Sequence, residues 1–510
     1  MAFTDKINNY FNRAISIAIA LIILFGIILR FILLFQNRNL IIDEANIVRN
    51  LAERGFGGLV LPLKYEQYAP PIFLWMEKLA SLLLGYGEKA MRLFPLLCGI
   101  SALFVFYRIA QKLMHKAAIW FPLCLFAFGN IFIKYSVELK QYMPDTLIAL
   151  LLILAALSWD FNTLARRKFV LLWIAAGSIA IWSSMPSIFL LCGVASYYSW
   201  PIIRTKKWAQ MAPLILIGLV WLLQFALYYY AILKPQINSD YLQNYHRDYF
   251  LFATPANKEE WMHNWYLVEN ILKNIGGVTT LSIVCNLLFI LLGTFLLAWK
   301  YTARFFLIAF PLGLVLIAAA LKQFSLIERV VLFTMPIAML LIGVAYDALW
   351  QLKGSLKILL LAIGIFIVHG YNDFVLFHER MTFHEITEGL DWIKTQGGKG
   401  SQLFVHDANV PTYIYYTELH PEKARYNALL GARRLKWEDN FTQVTNGYKD
   451  TAYFIYTGGF PDGERQKRTS EIERNMKQIK YFEKTICFVY VYVPKTAQDT
   501  TAAVSGTTPN

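Results

Sequence analysis

The chain has 510 residues, 57% of them apolar and only 16% charged, with a mean hydropathy of +0.43. That balance excludes an ordinary soluble globular protein and requires many membrane-buried segments. A net charge of +14 does not mark a nucleic-acid binder here, because the basic residues fall in short loops between apolar runs and form no basic, aromatic stripe.

The first element is the apolar run Ile15 to Phe35, read as a retained transmembrane helix because no small-residue cleavage site follows it. With that run at roughly 14–35, further spans are expected at roughly 89–107, 117–133, 146–161, 169–184, 187–203, 212–233, 277–299, 304–321, 328–349 and 355–373. That makes about eleven crossings of ~30 Å of hydrocarbon. Alternate loops carry the cations: Lys6 and Arg13, then Arg108, Lys112 and Lys116, then Arg166, Arg167 and Lys168. Arg204, Lys206 and Lys207 follow, then Lys300 and Arg304, then Lys353 and Lys357. The positive-inside rule puts these loops in the cytoplasm, with the N-terminus inside and the C-terminus outside.

The remaining loops gather the acids on the outer face: Asp43, Glu44, Glu66, Glu138, Asp145, Asp240, Asp248, Glu259, Glu260 and Glu328 among them. Acidic residues contribute little to topology, so their clustering needs another cause. Two outer segments are long. In residues 36–88, the stretch Ile72 to Gly85 is too short to span, and it reads as an amphipathic interfacial helix started by Pro70-Pro71. Residues 234–276 hold Tyr241, Tyr245, His246, Tyr249, Trp261, His263, Trp265 and Tyr266, suited either to a headgroup-level belt or to a lid over a lipid-linked substrate.

After Tyr371 the chain turns polar, and residues 374–495 read as a small α/β domain on the outer face. A helix is expected at Ile386 to Ile393, strands at Gln402 to His406, Ala452 to Tyr456 and Cys487 to Val493, and a helix at Arg468 to Gln478. Pro411 to Thr417 reads as helical or extended, and the Thr-, Ala- and Ser-rich end, 496–510, as disordered. Residues 1–373 then form the transmembrane domain. Cys98, Cys124, Cys192 and Cys285 sit in apolar runs and Cys487 stands alone, so the sequence carries no disulfide or zinc spacing.

Three outer segments carry candidate chemistry. Asp43-Glu44 follows the first span; Tyr135 to Asp145 (YSVELKQYMPD) joins the third and fourth; Lys322 to Arg329 (KQFSLIER) lies between two late spans. Polar side chains between hydrophobic helices are costly unless they line a wet cavity. Carboxylates there suit deprotonation of an acceptor, and cations suit a leaving phosphate; charges solvated by water and headgroups are the plain alternative. His246 and His263 lack a tight ligand spacing with acids, so nothing demands a metal or other cofactor, although a divalent ion bridging an acid and His246 stays open.

In order, the chain carries Asp43-Glu44, then Tyr65-Glu66-Gln67-Tyr68-Ala69-Pro70-Pro71, then Met91-Arg92-Leu93-Phe94-Pro95, then Tyr135 to Tyr142. This order resembles the membrane glycosyltransferases of the GT-C class, in the bacterial dolichyl-phosphate-mannose–protein mannosyltransferase-like and aminoarabinose-transferase-like group. The likeness is strongest over residues 40–160 and continues more loosely through Glu328 to Pro336. It implies a multi-pass helical protein in a bacterial inner membrane, moving a sugar from a polyprenyl-phosphate donor to a lipid, glycan or protein acceptor at the outer leaflet, with inversion. Asp43 would be the general base, with Glu44 orienting it or a donor hydroxyl and Glu138 in the acceptor or sugar pocket. Arg329 would hold the donor phosphate, with Lys64 and Lys322 as further cations. Tyr65, Gln67, Tyr68, Lys140, Gln141, Tyr142, Asp145 and His246 would contact substrate. The chain departs from the family in having Ala69 where many relatives place a Lys before the Pro pair, leaving that contact to Gln67 or Lys64. The main rival reading is a transporter or flippase of a lipid-linked saccharide. The halves show no internal repeat, and the acids lie at one face and not at mid-membrane, which favours surface chemistry.

Overall fold

Helices that face lipid invert the pattern of helices in water, and this chain shows the inversion. On Met211–Tyr228 the exposed residues include Ile215, Leu216, Leu219, Leu222, Leu223 and Leu227, an apolar outward stripe at helical spacing. Ile217 and Trp221 face inward, where the Trp221 indole N–H donates to the Trp173 carbonyl at 3.0 Å. The computed structural model describes residues 2–161, 165–237, 240–277, 279–352, 354, 357, 360–365, 385–396, 402–458 and 463–496. They divide into two compact units.

The first unit comprises Met1–Phe35, Phe56–Ala80 and Arg92–His378, and it is helical. It opens with α1 (Ala2–Phe35). Helices occupy each of the first ten expected spans, and the eleventh, 355–373, lies largely outside the described residues. Five of the described helices are long and apolar enough to cross a membrane: Arg13–Phe35 within α1, Leu93–Leu113, Trp208–Leu233, Thr280–Lys300 and Thr302–Ala320. A sixth is the pair Lys116–Phe128 and Asn130–Ser136, bent by 53° at Gly129. The protein is thus a multi-span helical membrane protein, and about eleven crossings is a finer statement than helix length and composition carry.

α2 (Ile42–Glu53) and α3 (Pro71–Leu84) lie between the first span and the next. α3 forms where the interfacial helix was expected, with Pro71 in the first turn, where a missing N–H costs nothing. Its apolar face is the exposed one. The exposed side chains are Trp75, Met76, Leu79, Leu82, Leu83 and Leu84, whereas the charged Glu77 is fully buried. Apolar surroundings outside reverse which face of an amphipathic helix turns inward.

The second unit comprises Gln36–Gly55, Ser81–Met91 and Glu379–Asn510, so α2 groups with the C-terminal residues. Its centre is a mixed five-stranded sheet in the order β2-β1-β3-β5-β4. The strands are β1 (Gln402–His406), β2 (Arg433–Leu435), β3 (Ala452–Thr457), β4 (Met476–Lys484) and β5 (Cys487–Pro494). β1 runs parallel to β2 and β3, while β5 runs antiparallel to β3 and β4, with Ile455 opposite Val489. All six residues of β3 are buried, as a central strand covered on both faces requires. The helix Ile386–Gln396 packs so closely on the sheet that a Cβ on Gly389 would stand 2.6 Å from the Cys487 sulfur and 2.8 Å from Ile455.

Two expectations fail here. The helix expected at Arg468 to Gln478 ends at Glu473, and Met476 begins β4; β2 was not expected at all. β4 (MKQIKYFEK) is an edge strand whose residues are mostly exposed, so lysines replace the apolar alternation that identifies inner strands. β2 is only three residues long, with a burial pattern too short to show a period.

Candidate functional site

The Asp43-Glu44 pair lies in the first turn of α2, where orphan backbone N–H groups and the helix dipole favour carboxylates. The two acids differ in surroundings. Glu44 is fully buried, accepts the Ile41 N–H at 3.0 Å and pairs with the Arg38 guanidinium at 2.9 Å. Its carboxylate thereby closes the turn that leads into the helix. Asp43 is half-buried.

The first unit gathers the other candidates around Tyr135. Glu138 and Lys140 are buried, and the Lys140 ammonium donates to the Gln67 side-chain oxygen at 2.6 Å. The Tyr135 and Tyr142 rings meet edge to face at 5.2 Å. Tyr135 is within electrostatic reach of Glu138, Arg329, Glu328 and Tyr245, so the YSVELKQYMPD and KQFSLIER segments converge. Arg329 donates to the Tyr245 hydroxyl at 2.5 Å. One residue on, His246 Nδ1 pairs with the Ser325 hydroxyl at 2.8 Å, and the Leu326 N–H donates to the Tyr249 carbonyl at 2.9 Å. Burial, helped by the Arg329 charge, pushes the His246 pKa below its ordinary value, which favours a neutral imidazole. The aromatic loop therefore packs on the arginine segment.

A second group lies deeper in the same unit. The Tyr68 and Tyr228 hydroxyls are bonded to one another, and Asp145 is close enough for its charge to act on both. Asp145 Oδ1 and Gln141 Oε1 are buried with no hydrogen-bond partner among the described residues. Tyr65 and Glu66, in the motif before the Pro pair, both adopt left-handed backbone, φ 65° and 53°. Consecutive left-handed non-glycine residues are strained and mark a built turn. Lys64 and Lys322 are exposed, the latter at φ 58° on the turn after Thr302–Ala320. His263 Nε2 meets the Phe250 carbonyl at 3.1 Å. Among the described residues no three His, Cys, Asp or Glu side chains are grouped to hold a metal ion.

Three features were missed in the sequence. Arg30, inside the first span, is fully buried. Its guanidinium donates to the carbonyls of Gly26 (2.8 Å) and Ala127 (3.0 Å) and to the Ser136 hydroxyl (3.1 Å). Ala127 is at the end of one half of the bent pair and Ser136 at the end of the other, so one side chain staples the break. A cation there satisfies carbonyls that the bend frees and complements a helix C-terminus. Space for it comes from Gly99, where a Cβ would stand 2.2 Å from Ser136 Oγ. The signal was present: an arginine in an apolar span is too costly to be incidental. Glu77 is the second feature, buried with neither carboxyl oxygen bonded among the described residues, and burial raises its pKa well above the usual carboxylate range. The third, in the second unit, is Glu88, which accepts the Tyr416 hydroxyl at 2.9 Å and pairs with His420 at 3.1 Å. No spacing in the sequence joins those three.

By sequence, residues 68–229 match the family described as dolichyl-phosphate-mannose-protein mannosyltransferase. No curated protein matches the chain significantly. By structure, the chain is similar to ArnT from Cupriavidus metallidurans bound to undecaprenyl phosphate, with TM-score 0.56 and 14% identity over 92% of this chain and 97% of that one. The Archaeoglobus fulgidus oligosaccharyltransferase, in its complex with Zn and sulfate, gives 0.50 and 12% over 93% of this chain and 72% of that one. AglB from the same organism, in complex with an inhibitory peptide and a dolichol-phosphate, gives 0.50 and 11% over 95% and 74%. At these identities the structural likeness establishes the fold, which is that of ArnT. The segment that matches this family by sequence, residues 68–229, contains the Tyr68, Tyr135–Asp145 and Tyr228 groups.

Proposed function

We propose that the enzyme transfers a sugar from a polyprenyl-phosphate donor to an acceptor hydroxyl or amine, with inversion, at the outer face of a bacterial inner membrane. In this reading the chain crosses about eleven times with its N-terminus in the cytoplasm and its sheet domain outside. The observation that carries the proposal is the convergence of Glu138, Arg329 and the Tyr245–His246 loop around Tyr135, with Lys140 held at Gln67. A neutral solvating surface would not bury an ammonium and a carboxylate two residues from one another, as Lys140 and Glu138 are.

The roles follow from charge. Asp43 takes the proton from the acceptor as its oxygen or nitrogen bonds to the anomeric carbon. The bond from that carbon to the phosphate oxygen breaks, and the polyprenyl phosphate leaves with the electron pair. Arg329 stabilises the leaving charge, since a guanidinium donates two parallel bonds to a phosphate. Lys140, delivered to Gln67 two residues before Ala69, supplies a cation where the family's lysine is missing; Lys64 and Lys322 are outer cations on the donor's approach. Glu138, Gln141, Tyr142 and Asp145, with Tyr65, Tyr68 and His246, contact the sugar or acceptor. Glu44 serves Asp43 indirectly, by fixing the turn before it.

The test mixes purified protein with a radiolabelled polyprenyl-phosphate sugar and candidate acceptors. Asp43→Asn should lower turnover by about 10²–10⁴-fold while donor binding survives. Full activity in that variant removes Asp43 as base. Movement of the lipid-linked sugar across vesicles without bond formation would instead make the protein a flippase.

A further inference from the structure

The second unit supplies a task for the C-terminal domain. Tyr416 is almost fully buried and lies in the π-turn Tyr415–Leu419, a wide turn of the kind that recurs at functional sites. Its hydroxyl donates to Glu88 Oε1 at 2.9 Å and accepts the Leu40 backbone N–H at 3.1 Å. The other Glu88 oxygen pairs with His420 Nε2 at 3.1 Å; His420 Nδ1 accepts the Glu422 N–H, so Nε2 carries the proton and donates. Tyr415 donates to the Tyr86 carbonyl at 2.6 Å. One residue before Leu40, the Asn39 N–H donates to Glu385 at 3.3 Å, and its side-chain amide reaches the Thr387 hydroxyl at 2.9 Å. α2 itself packs on Val410–Ile414 and on the π-turn.

Three segments far apart in sequence thus meet at one hydroxyl, and the segment being held is Asn39-Leu40, three residues before Asp43. Burying so many polar groups is costly unless each finds a partner, and each named here does. A loop that merely connected a membrane helix to the next element would not need them. We propose that Tyr416, anchored by Glu88 and His420, is a positioning residue for Asp43, and that holding the N-terminus of α2 is the C-terminal domain's part in catalysis. This rests on Asp43 as the general base.

The test compares wild type with Tyr416→Phe, His420→Gln and Asp43→Asn in lipid nanodiscs. Hydrogen exchange of a peptide covering residues 38–46 reads the positioning, and peptides from β3 and β5 report that the domain stays folded. Loss of one buried hydrogen bond should speed exchange of the 38–46 peptide about tenfold in Tyr416→Phe, with the strands unchanged. His420→Gln, which still offers Glu88 a donor, should give a smaller increase. With undecaprenyl-phosphate mannose as the radiolabelled probe donor, kcat of Tyr416→Phe should fall at least tenfold while the donor KM stays within about twofold. Unchanged exchange at 38–46 overturns the proposal whatever the rates, and it does so even if that donor is not turned over. Faster exchange with full kcat overturns the link to catalysis. Full activity in Asp43→Asn sinks the general-base reading separately, leaving Tyr416 only as the anchor of α2.

Discussion

Both units hold a candidate acid in place by burying charge, and they do it by opposite means. In the membrane unit a cation, Arg30, meets backbone carbonyls and a serine hydroxyl at the break before Glu138. In the sheet unit an anion, Glu88, meets a tyrosine and a histidine that tie down the approach to Asp43. The choice follows from what each environment leaves unsatisfied. A bent span frees carbonyls, which only a donor can satisfy, and an arginine brings five N–H groups without ever losing its proton. A segment of loop backbone presents N–H groups, which need acceptors, and a carboxylate relayed through a hydroxyl provides them. Burial pushes the Glu88 carboxyl up, but the His420 bond and charge outweigh it and hold the pKa below its ordinary value, so the anion persists at neutral pH.

The sharpest way to break that contrast is to remove the cation. Arg30→Met keeps the side chain's length and apolar stem but leaves the Ala127 carbonyl and the Ser136 hydroxyl without their donor. Breaking a buried charged network costs about 3–5 kcal/mol, so thermal unfolding in detergent should drop steeply. Arg30→Lys should recover only part, because an ammonium cannot hold a serine and two carbonyls in one plane. A methionine variant as stable as wild type would show that the bend needs no cation, which is a real alternative because apolar replacement of buried charge is sometimes favourable.

How far these arrangements could be read in the sequence depends on period and neighbourhood. The spans were legible because roughly twenty apolar residues in a row have one physical use. β1, β3 and β5 were legible because inner strands are short, β-branched and aromatic, and their observed limits differ from the expected ones by a residue at most. β4 was not, since an edge strand swaps that signature for lysines. Of the candidate site, YSVELKQYMPD and KQFSLIER were legible as costly polar stretches between apolar spans, but their meeting near Tyr135 was not. Tyr416, Glu88 and His420 were illegible for a different reason: no local pattern records a meeting of residues 40, 88 and 416. Arg30 was legible in principle, as a charge in an apolar helix, but its partners are mostly backbone carbonyls, which a sequence never displays.

Histidine extends the comparison to the sheet itself. His406 ends β1, is 1% exposed, and sits against the Trp437 ring at 4.4 Å. Burial first, and the Arg468 charge second, push its pKa from 6.5 down to about 4. Between those values the unfolded chain binds a proton that the folded one refuses, so stability falls as pH falls across that window and is flat above it. At about 1.4 kcal/mol per pH unit the whole window is worth roughly 3 kcal/mol. Protection of the β1 and β3 amides, corrected for intrinsic exchange, should decline from pH 6.5 to 4.5. His406→Gln should flatten that decline; an unchanged slope would assign it to the carboxylates instead.

The smallest effect concerns the acid that neither strategy serves. Among the described residues Glu77 has no cation and no hydroxyl relay, and burial holds its pKa well above the carboxylate range. The folded protein therefore keeps a proton on Glu77 that the unfolded chain releases above about 4.5, and stability at neutral pH is lowered as pH rises. Glu77→Gln preserves shape and polarity without the ionisation, so it should raise the unfolding temperature modestly, on the order of 1 kcal/mol, and more at pH 8 than at pH 6. If the variant is instead less stable at both pH values, the carboxyl is ionised and partnered in the working enzyme. Glu77 would then join Glu88 as an anion held in place, and the opposition between the two units would reduce to Arg30 alone.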